Sequence, residues 1–180
     1  MFGELKVAAK KICEGGLIAY PTEYCFGLGC DPNDRAAVLQ LLRIKRRLLE
    51  KGVILIAANV QQLEPYVDDI PPDTLATWPG PYTWLLKPRP GVAQWITGRH
   101  PRIALRVTAH RQAAALCRLA GTAIVSTSAN RAGEAPARHA REVRRRLGKE
   151  LDYVLSGKVG GLRHPTSIRD AVTGKVVRAD

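Results

Sequence analysis

Residues 53–58, Val53-Ile54-Leu55-Ile56-Ala57-Ala58, form an unbroken apolar run. The run is far shorter than the roughly 20 apolar residues that cross a bilayer. It also lacks the polar alternation of a strand with one wet face, so it predicts a strand covered on both sides. Such a strand needs helices above and below. Leu5, Ala8, Ala9, Ile12 and Cys13 recur at helical spacing, and Gly15-Gly16 ends that helix. Leu17-Ile18-Ala19-Tyr20 reads as a short strand stopped by Pro21. Asn33 or Asp34 can cap a second helix with Ala37, Val38, Leu41, Leu42 and Ile44 on one face. Prolines then break the middle, leaving expected strands over 82–87 and 103–107. A helix over 111–119, a strand over 123–125 and a basic helix over 138–147 follow. A terminal hairpin pairs 168–172 with 175–177 through Thr173-Gly174. Alternating helices and strands with adjacent hairpins predict an α/β fold, a twisted mixed β-sheet flanked by helices. The length of 180 residues suits one domain over residues 1–180.

Hydrophobic residues make up 46% and charged residues 24%, a folded and soluble balance. The N-terminal residues lack a basic-then-apolar signal pattern, so a cytoplasmic location without a membrane anchor is expected. Cys13, Cys25, Cys30 and Cys117 show no zinc-type spacing with one another or with histidine, and no metal site is expected. They read as reduced, mostly buried thiols. A Cys25 nucleophile would need an activating base that the sequence does not offer. The net charge of +12 favours polyanionic partners, nucleotides or RNA, although a generally arginine-rich composition gives the same number.

Polar residues crowd just beyond the predicted strand ends, where α/β sheets place ligands. Tyr20-Pro21-Thr22-Glu23 is followed by Phe26-Gly27-Leu28-Gly29, whose glycines permit close approach of a ligand or another chain. Lys45-Arg46-Arg47 and Lys51 gather at a helix C-terminus. Cations there favour the helix dipole in any case, and they also match phosphate oxygens. Ser126-Thr127-Ser128-Ala129-Asn130 sets hydroxyls and an amide after a strand, either as a turn or as uncharged ligand contacts. No P-loop or dinucleotide fingerprint is present.

Taken in order, Tyr20-Pro21-Thr22-Glu23, Lys45-x-Arg47, Trp78-Pro79-Gly80-Pro81, Leu105-Arg106-Val107, Ser126-Thr127-Ser128-Ala129-Asn130 and Thr166-Ser167-Ile168-Arg169-Asp170 resemble the segments of the YrdC family. The likeness is to its short bacterial form, which has the YrdC-like domain alone, and it runs over nearly the whole chain. The resemblance implies a YrdC-like α/β fold and a nucleotidyltransferase, a threonylcarbamoyl-AMP synthase. Such an enzyme joins L-threonine, bicarbonate and ATP for tRNA threonylcarbamoyladenosine modification. The family's catalytic positions fall on Lys45, Arg47, Ser128 and Asn130. Arg47, Lys51, Ser128, Asn130 and Arg178 would hold ATP. Thr22, Arg106, Ser126 and Thr166 would hold threonine or its carbamate. Mg²⁺ would travel with ATP, and tRNA-modifying partner proteins would receive the adenylate.

This chain departs from the family at several of these places. Leu48 stands where proline is usual and Lys51 where asparagine is common. Arg102 replaces a small hydroxyl residue, and Arg131-Ala132 replaces Leu-Ser. A rival reading is a double-stranded RNA or tRNA binder acting in ribosomal RNA maturation. Arg138, Arg141, Arg144, Arg145, Arg146 and Lys149 would then track phosphates. A solvated basic helix accounts for those residues and is the preferred reading. An RNA module alone has no use for Lys45, Arg47, Ser128, Asn130 and Thr166 together.

Overall fold

The structure, a computed structural model, describes residues 2–178, with the side chain of Arg178 outside the described set. Its helices are α1 (Phe2–Cys13), α2 (Arg35–Lys45), α3 (Pro72–Leu75), α4 (Gln94–Thr97), α5 (Arg111–Ala120) and α6 (Ala140–Leu147). Its strands are β1 (Ile18–Pro21), β2 (Phe26–Gly29), β3 (Ile54–Ala57), β4 (Tyr82–Leu86), β5 (Ile103–Val107), β6 (Ile124–Ser128), β7 (Tyr153–Val154), β8 (Ser167–Asp170) and β9 (Val176–Arg178). They form one 9-stranded sheet in the order β7-β1-β2-β6-β3-β5-β4-β8-β9. The pairing is mixed: β3 runs parallel to β5 and antiparallel to β6.

β3 lies at the centre and shows why its sequence is apolar throughout. Leu55 and Ala57 pack into a core with Val38, Leu41 and Leu42 of α2. Ile56, on the opposite face, packs with Leu5, Ala8 and Ile12 of α1 and Leu116 of α5. Each fully buried Leu or Ile of this kind contributes about 1.5–3 kcal/mol. The expected coverage on both faces is therefore present.

Local chemistry sets the helix ends. Asp34 caps α2, its Oδ1 accepting from the Ala37 amide at 3.0 Å. α2 stops at Arg46, which takes the left-handed conformation at φ 51° and sends its amide back to Arg43 and Leu42. α5 ends at Gly121, φ 73°. Two strands lie where no strand was expected, β2 and β7. β2 holds the segment that its glycines suggest is a turn. A Cβ at Gly29 would lie 2.8 Å from Tyr20 Cε1 and 2.5 Å from the Val125 carbonyl. That glycine makes room for the Tyr20 ring rather than for a ligand.

Candidate active site

Alternation along the central strands builds the site. Ile124 of β6 and Ile56 of β3 face α1 and α5. One step of the pleat away, on the same face, lie Ser126 and Ser128, with Ile54 beside Ser126 in register. Arg106 pairs with Ile56, and Ala104 with Ile54, so these share that face too. The two helices leave this part of the sheet uncovered. A cavity of about 630 Å³ stands on it, floored by Ile54, Ala104, Arg106, Ser126 and Ser128. The expected position beyond the strand ends is thus corrected. Ser126 and Ser128 belong to β6 and Arg106 to β5, because polar side chains can continue a strand where its face meets a cavity.

The C-terminus of α2 and the loop behind it bring Lys45, Arg47 and Lys51 to one end of the cavity. Lys45 is buried, and its ammonium donates to the Ser128 carbonyl at 2.5 Å and the Asn130 carbonyl at 2.7 Å. It also donates to Asn130 Oδ1 at 3.2 Å and Ser128 Oγ at 3.4 Å. Burial, and then the neighbouring Arg47, pull its pKa down to about 8. Arg47 donates through Nε to the Gly52 carbonyl at 3.2 Å and through Nη2 to those of Lys51 and Gly52, each at 3.1 Å. Burial lowers its pKa as well, although a guanidinium remains charged. Asn130 is fixed on its other side, its Nδ2 donating to the Arg131 carbonyl at 2.9 Å and that of Glu134 at 2.7 Å.

The other end is built around Arg106. Its Nη1 donates to Thr166 Oγ1 at 2.6 Å, and its Nη2 lies 3.3 Å from Glu23 Oε2. Thr108 Oγ1 donates to Glu23 Oε1 at 2.6 Å. Burial pushes the Glu23 carboxyl up, but the Arg106 charge and the Thr108 bond outweigh it and hold it below the ordinary range. Thr22 lines the cavity while its hydroxyl donates to the Cys25 carbonyl at 2.8 Å, closing the β1–β2 turn. The Tyr20 hydroxyl donates to the Val125 carbonyl at 3.4 Å, and burial holds its proton firmly. Cys25 also lines the cavity, but burial raises its thiol to about 11, so it supplies no thiolate near neutral pH.

All the expected site residues except Arg178 therefore line one cavity: Thr22, Lys45, Arg47, Lys51, Arg106, Ser126, Ser128, Asn130 and Thr166. The Arg178 side chain lies outside the described residues. Arg102, a departure from the family pattern, also stands on the wall, with Nε 3.5 Å from Asp170 Oδ2. Glu23, Thr108 and Arg46 join the site or its support without having been singled out. Glu23 was visible inside the first motif, but nothing in the sequence paired it with Arg106. The basic segment 138–149 does not form one free face. Arg138, Arg144 and Arg146 donate to carbonyls of Leu162, Val154 and Ala135.

A mixed sheet thus carries cations, hydroxyls and an amide around one cavity, a donor set complementary to small anionic groups. Residues 10–179 match the Sua5/YciO/YrdC family, described as telomere recombination, and the chain belongs to that family. The chain is 55% identical to the threonylcarbamoyl-AMP synthase of Cellvibrio japonicus over 95% of this chain and 93% of that one. The threonylcarbamoyl-AMP synthase of Alkalilimnicola ehrlichii is 53% identical over 97% and 95%. Among solved structures, P. abyssi Sua5 complexed with L-threonine matches with a TM-score of 0.88 at 29% identity, over 96% of this chain and 52% of that one. The chain thus spans about half the length of the Sua5 structures it matches. E. coli YciO matches with a TM-score of 0.83 at 27% identity, over 97% and 87%. Among the described residues, no helix is long and apolar enough to cross a membrane.

Proposed function

We propose that this chain catalyses threonylcarbamoyl-AMP synthesis, forming L-threonylcarbamoyladenylate and pyrophosphate from L-threonine, bicarbonate and ATP. The observation that carries the reading is the single cavity that gathers Lys45, Arg47, Ser128 and Asn130 at one end and Arg106 with Thr166 at the other. The threonine amine takes up bicarbonate or carbon dioxide as a carbamate, with loss of water in the bicarbonate case. A carbamate oxygen then forms a bond to the α-phosphorus of ATP, and the bond to pyrophosphate breaks. This chemistry asks for alignment and charge neutralisation and needs no protein nucleophile.

Arg47 and Lys51 face the phosphates. Lys45 adds charge and holds Ser128 and Asn130 where the α-phosphate is displaced. Arg106 takes the threonine carboxylate as a two-point contact, with Thr22, Ser126 and Thr166 offering hydroxyls around it. Mg²⁺ enters with ATP as part of that substrate, since the cavity offers cations and hydroxyls rather than carboxylates. The adenylate passes to tRNA-modifying partner proteins. The test is pyrophosphate release from ATP by the purified chain. Release should require L-threonine and bicarbonate together, and threonine-independent release or none from folded protein would overturn the reading.

A further inference from the structure

Arg106 and Glu23 form a buried ion pair whose side chains are 6% and 9% exposed. The arginine is on the cavity wall and the carboxylate is behind it, absent from that wall. A pair of this kind loses hydration on both partners, so its presence seldom explains stability. Its geometry suits another purpose. The Arg106 fork is held by Thr166 at Nη1 and faces Glu23 at Nη2, while the buried Nε has no hydrogen-bond partner among the described residues.

Glu23 is itself fixed from several sides. Thr108, just past β5, holds Oε1. The Leu162 amide donates to the Glu23 carbonyl at 3.3 Å, and the Gly160 amide to that of Thr22 at 2.9 Å. A Cβ at Gly160 would lie 2.6 Å from the Glu23 carbonyl oxygen, so the strand of chain leading to Thr166 runs directly against this turn.

We infer that Glu23, held by Thr108, is a positioning residue that fixes the Arg106 guanidinium and cancels its charge, so that this subsite accepts the single carboxylate of an amino acid in preference to a phosphate. The inference rests on the reading that Arg106 grips the threonine carboxylate. In a low-dielectric cavity, a dianion placed beside a neutral Arg–Glu pair meets both the cation and the carboxylate behind it. The single carboxylate of an amino acid carries less charge at that point and meets weaker opposition. Lys45 and Arg47, at the other end, have carbonyl partners instead, with no carboxylate paired against them to offset their charge.

The experiment is steady-state adenylate formation by Glu23→Gln, Thr108→Val, Thr108→Ser and Arg106→Gln, each checked for folding by circular dichroism and thermal unfolding. Glu23→Gln should raise the KM for L-threonine about tenfold and leave the KM for ATP within about twofold, the scale seen when a supporting partner is lost. At saturating ATP, inorganic phosphate should become competitive with L-threonine in Glu23→Gln while leaving the unaltered protein uninhibited. A purely structural role for Glu23 would not create that inhibition. Thr108→Val should shift the threonine KM in the same direction by less, and Thr108→Ser should restore it. Unchanged threonine KM and phosphate response in folded Glu23→Gln, with threonine binding lost in Arg106→Gln, overturns the inference alone. Unchanged threonine KM in Arg106→Gln overturns the subsite reading beneath it. Should Glu23→Gln not fold, the Thr108 pair decides: a rise in Val reversed in Ser sustains the inference, and equal values overturn it.

Discussion

Both ends of the cavity bury cations, but they satisfy them with different partners. Lys45 and Arg47 donate mainly to backbone carbonyls of Ser128, Asn130, Lys51 and Gly52. Carbonyl dipoles occupy the hydrogens and leave the charge in place. Arg106 faces the Glu23 carboxylate at 3.3 Å, an ion pair that offsets the charge, while Thr166 takes the hydrogen bond from Nη1. The first end stays electropositive and suits a triphosphate. The second is close to neutral and suits a zwitterion. Two arginines on one cavity, Arg47 on the loop after α2 and Arg106 on β5, thus differ in role because of what stands behind them.

The largest expected effect comes from breaking the neutral end. Arg106→Ala leaves the Glu23 carboxylate buried without its partner, at a cost of about 3–5 kcal/mol. Urea unfolding at pH 7 should show that loss, and adding Glu23→Gln to the same protein should recover most of it. A double variant no more stable than the single one would break the comparison. The pH dependence of the unaltered protein has a defined sign. The folded Glu23 carboxyl lies below its ordinary value of 4.5. Its contribution is complete above about that pH and is lost as the pH falls through the depressed value.

Next in size is the electropositive end. Lys45→Ala and Arg47→Ala should each lower the rate of pyrophosphate release by about 10²–10³, the scale of losing one oriented donor from a charge-stabilising site. Lys45→Ala also removes the ammonium from the Asn130 carbonyl, at about 1–3 kcal/mol, while the Ser128 carbonyl keeps the Asn130 amide at 3.0 Å. Its thermal unfolding midpoint should therefore fall more than its catalytic role alone requires. Near-normal rates in both folded variants would remove the phosphate role from this end.

The two ends were unequally legible in the sequence. Lys45, Arg47, Ser128 and Asn130 stand in short runs whose spacing survives folding almost unchanged. β3 declared itself because burial on both faces leaves no polar position. β2 stayed hidden because Gly27 and Gly29 read as a turn, and only the structure shows the Tyr20 ring lying across them. β6 was read as ending at Val125 and runs on to Ser128, since hydroxyls that face a cavity interrupt the apolar pattern without ending the strand. The Glu23–Arg106 pair was not legible because it joins a hairpin turn to a strand distant in sequence. No local period records such a pairing.

A smaller effect separates charge from position at Lys45. Its pKa of about 8 means the ammonium is lost between neutral and mildly alkaline pH. The kcat/KM for ATP should fall by about tenfold per pH unit above that value if the charge is required. Lys45→Arg should carry activity to higher pH. The fall is distinguishable from unfolding by its sign. A lowered cation pKa means folding disfavours the protonated form, so stability rises as pH increases from about 8 towards 10.5.

The smallest effect concerns the loop that carries the electropositive end. Leu48 stands where the family usually has proline, and it is exposed. Its backbone, φ −66° and ψ 140°, already matches the conformation that proline imposes. Arg47, immediately before it, has left the helix, which ended at Lys45. Leu48→Pro should therefore stabilise the chain by about 0.4–1 kcal/mol, through the unfolded state rather than through new contacts. Because the native conformation is unchanged, the Arg47 bonds to Lys51 and Gly52 should persist and the KM for ATP should stay within about twofold. A lower KM for ATP would mean that the leucine loop samples other conformations before ATP binds, and that the electropositive end is less preorganised than its hydrogen bonds indicate. Destabilisation would mean that the Leu48 amide or the Arg47 backbone has a role that the folded geometry does not reveal.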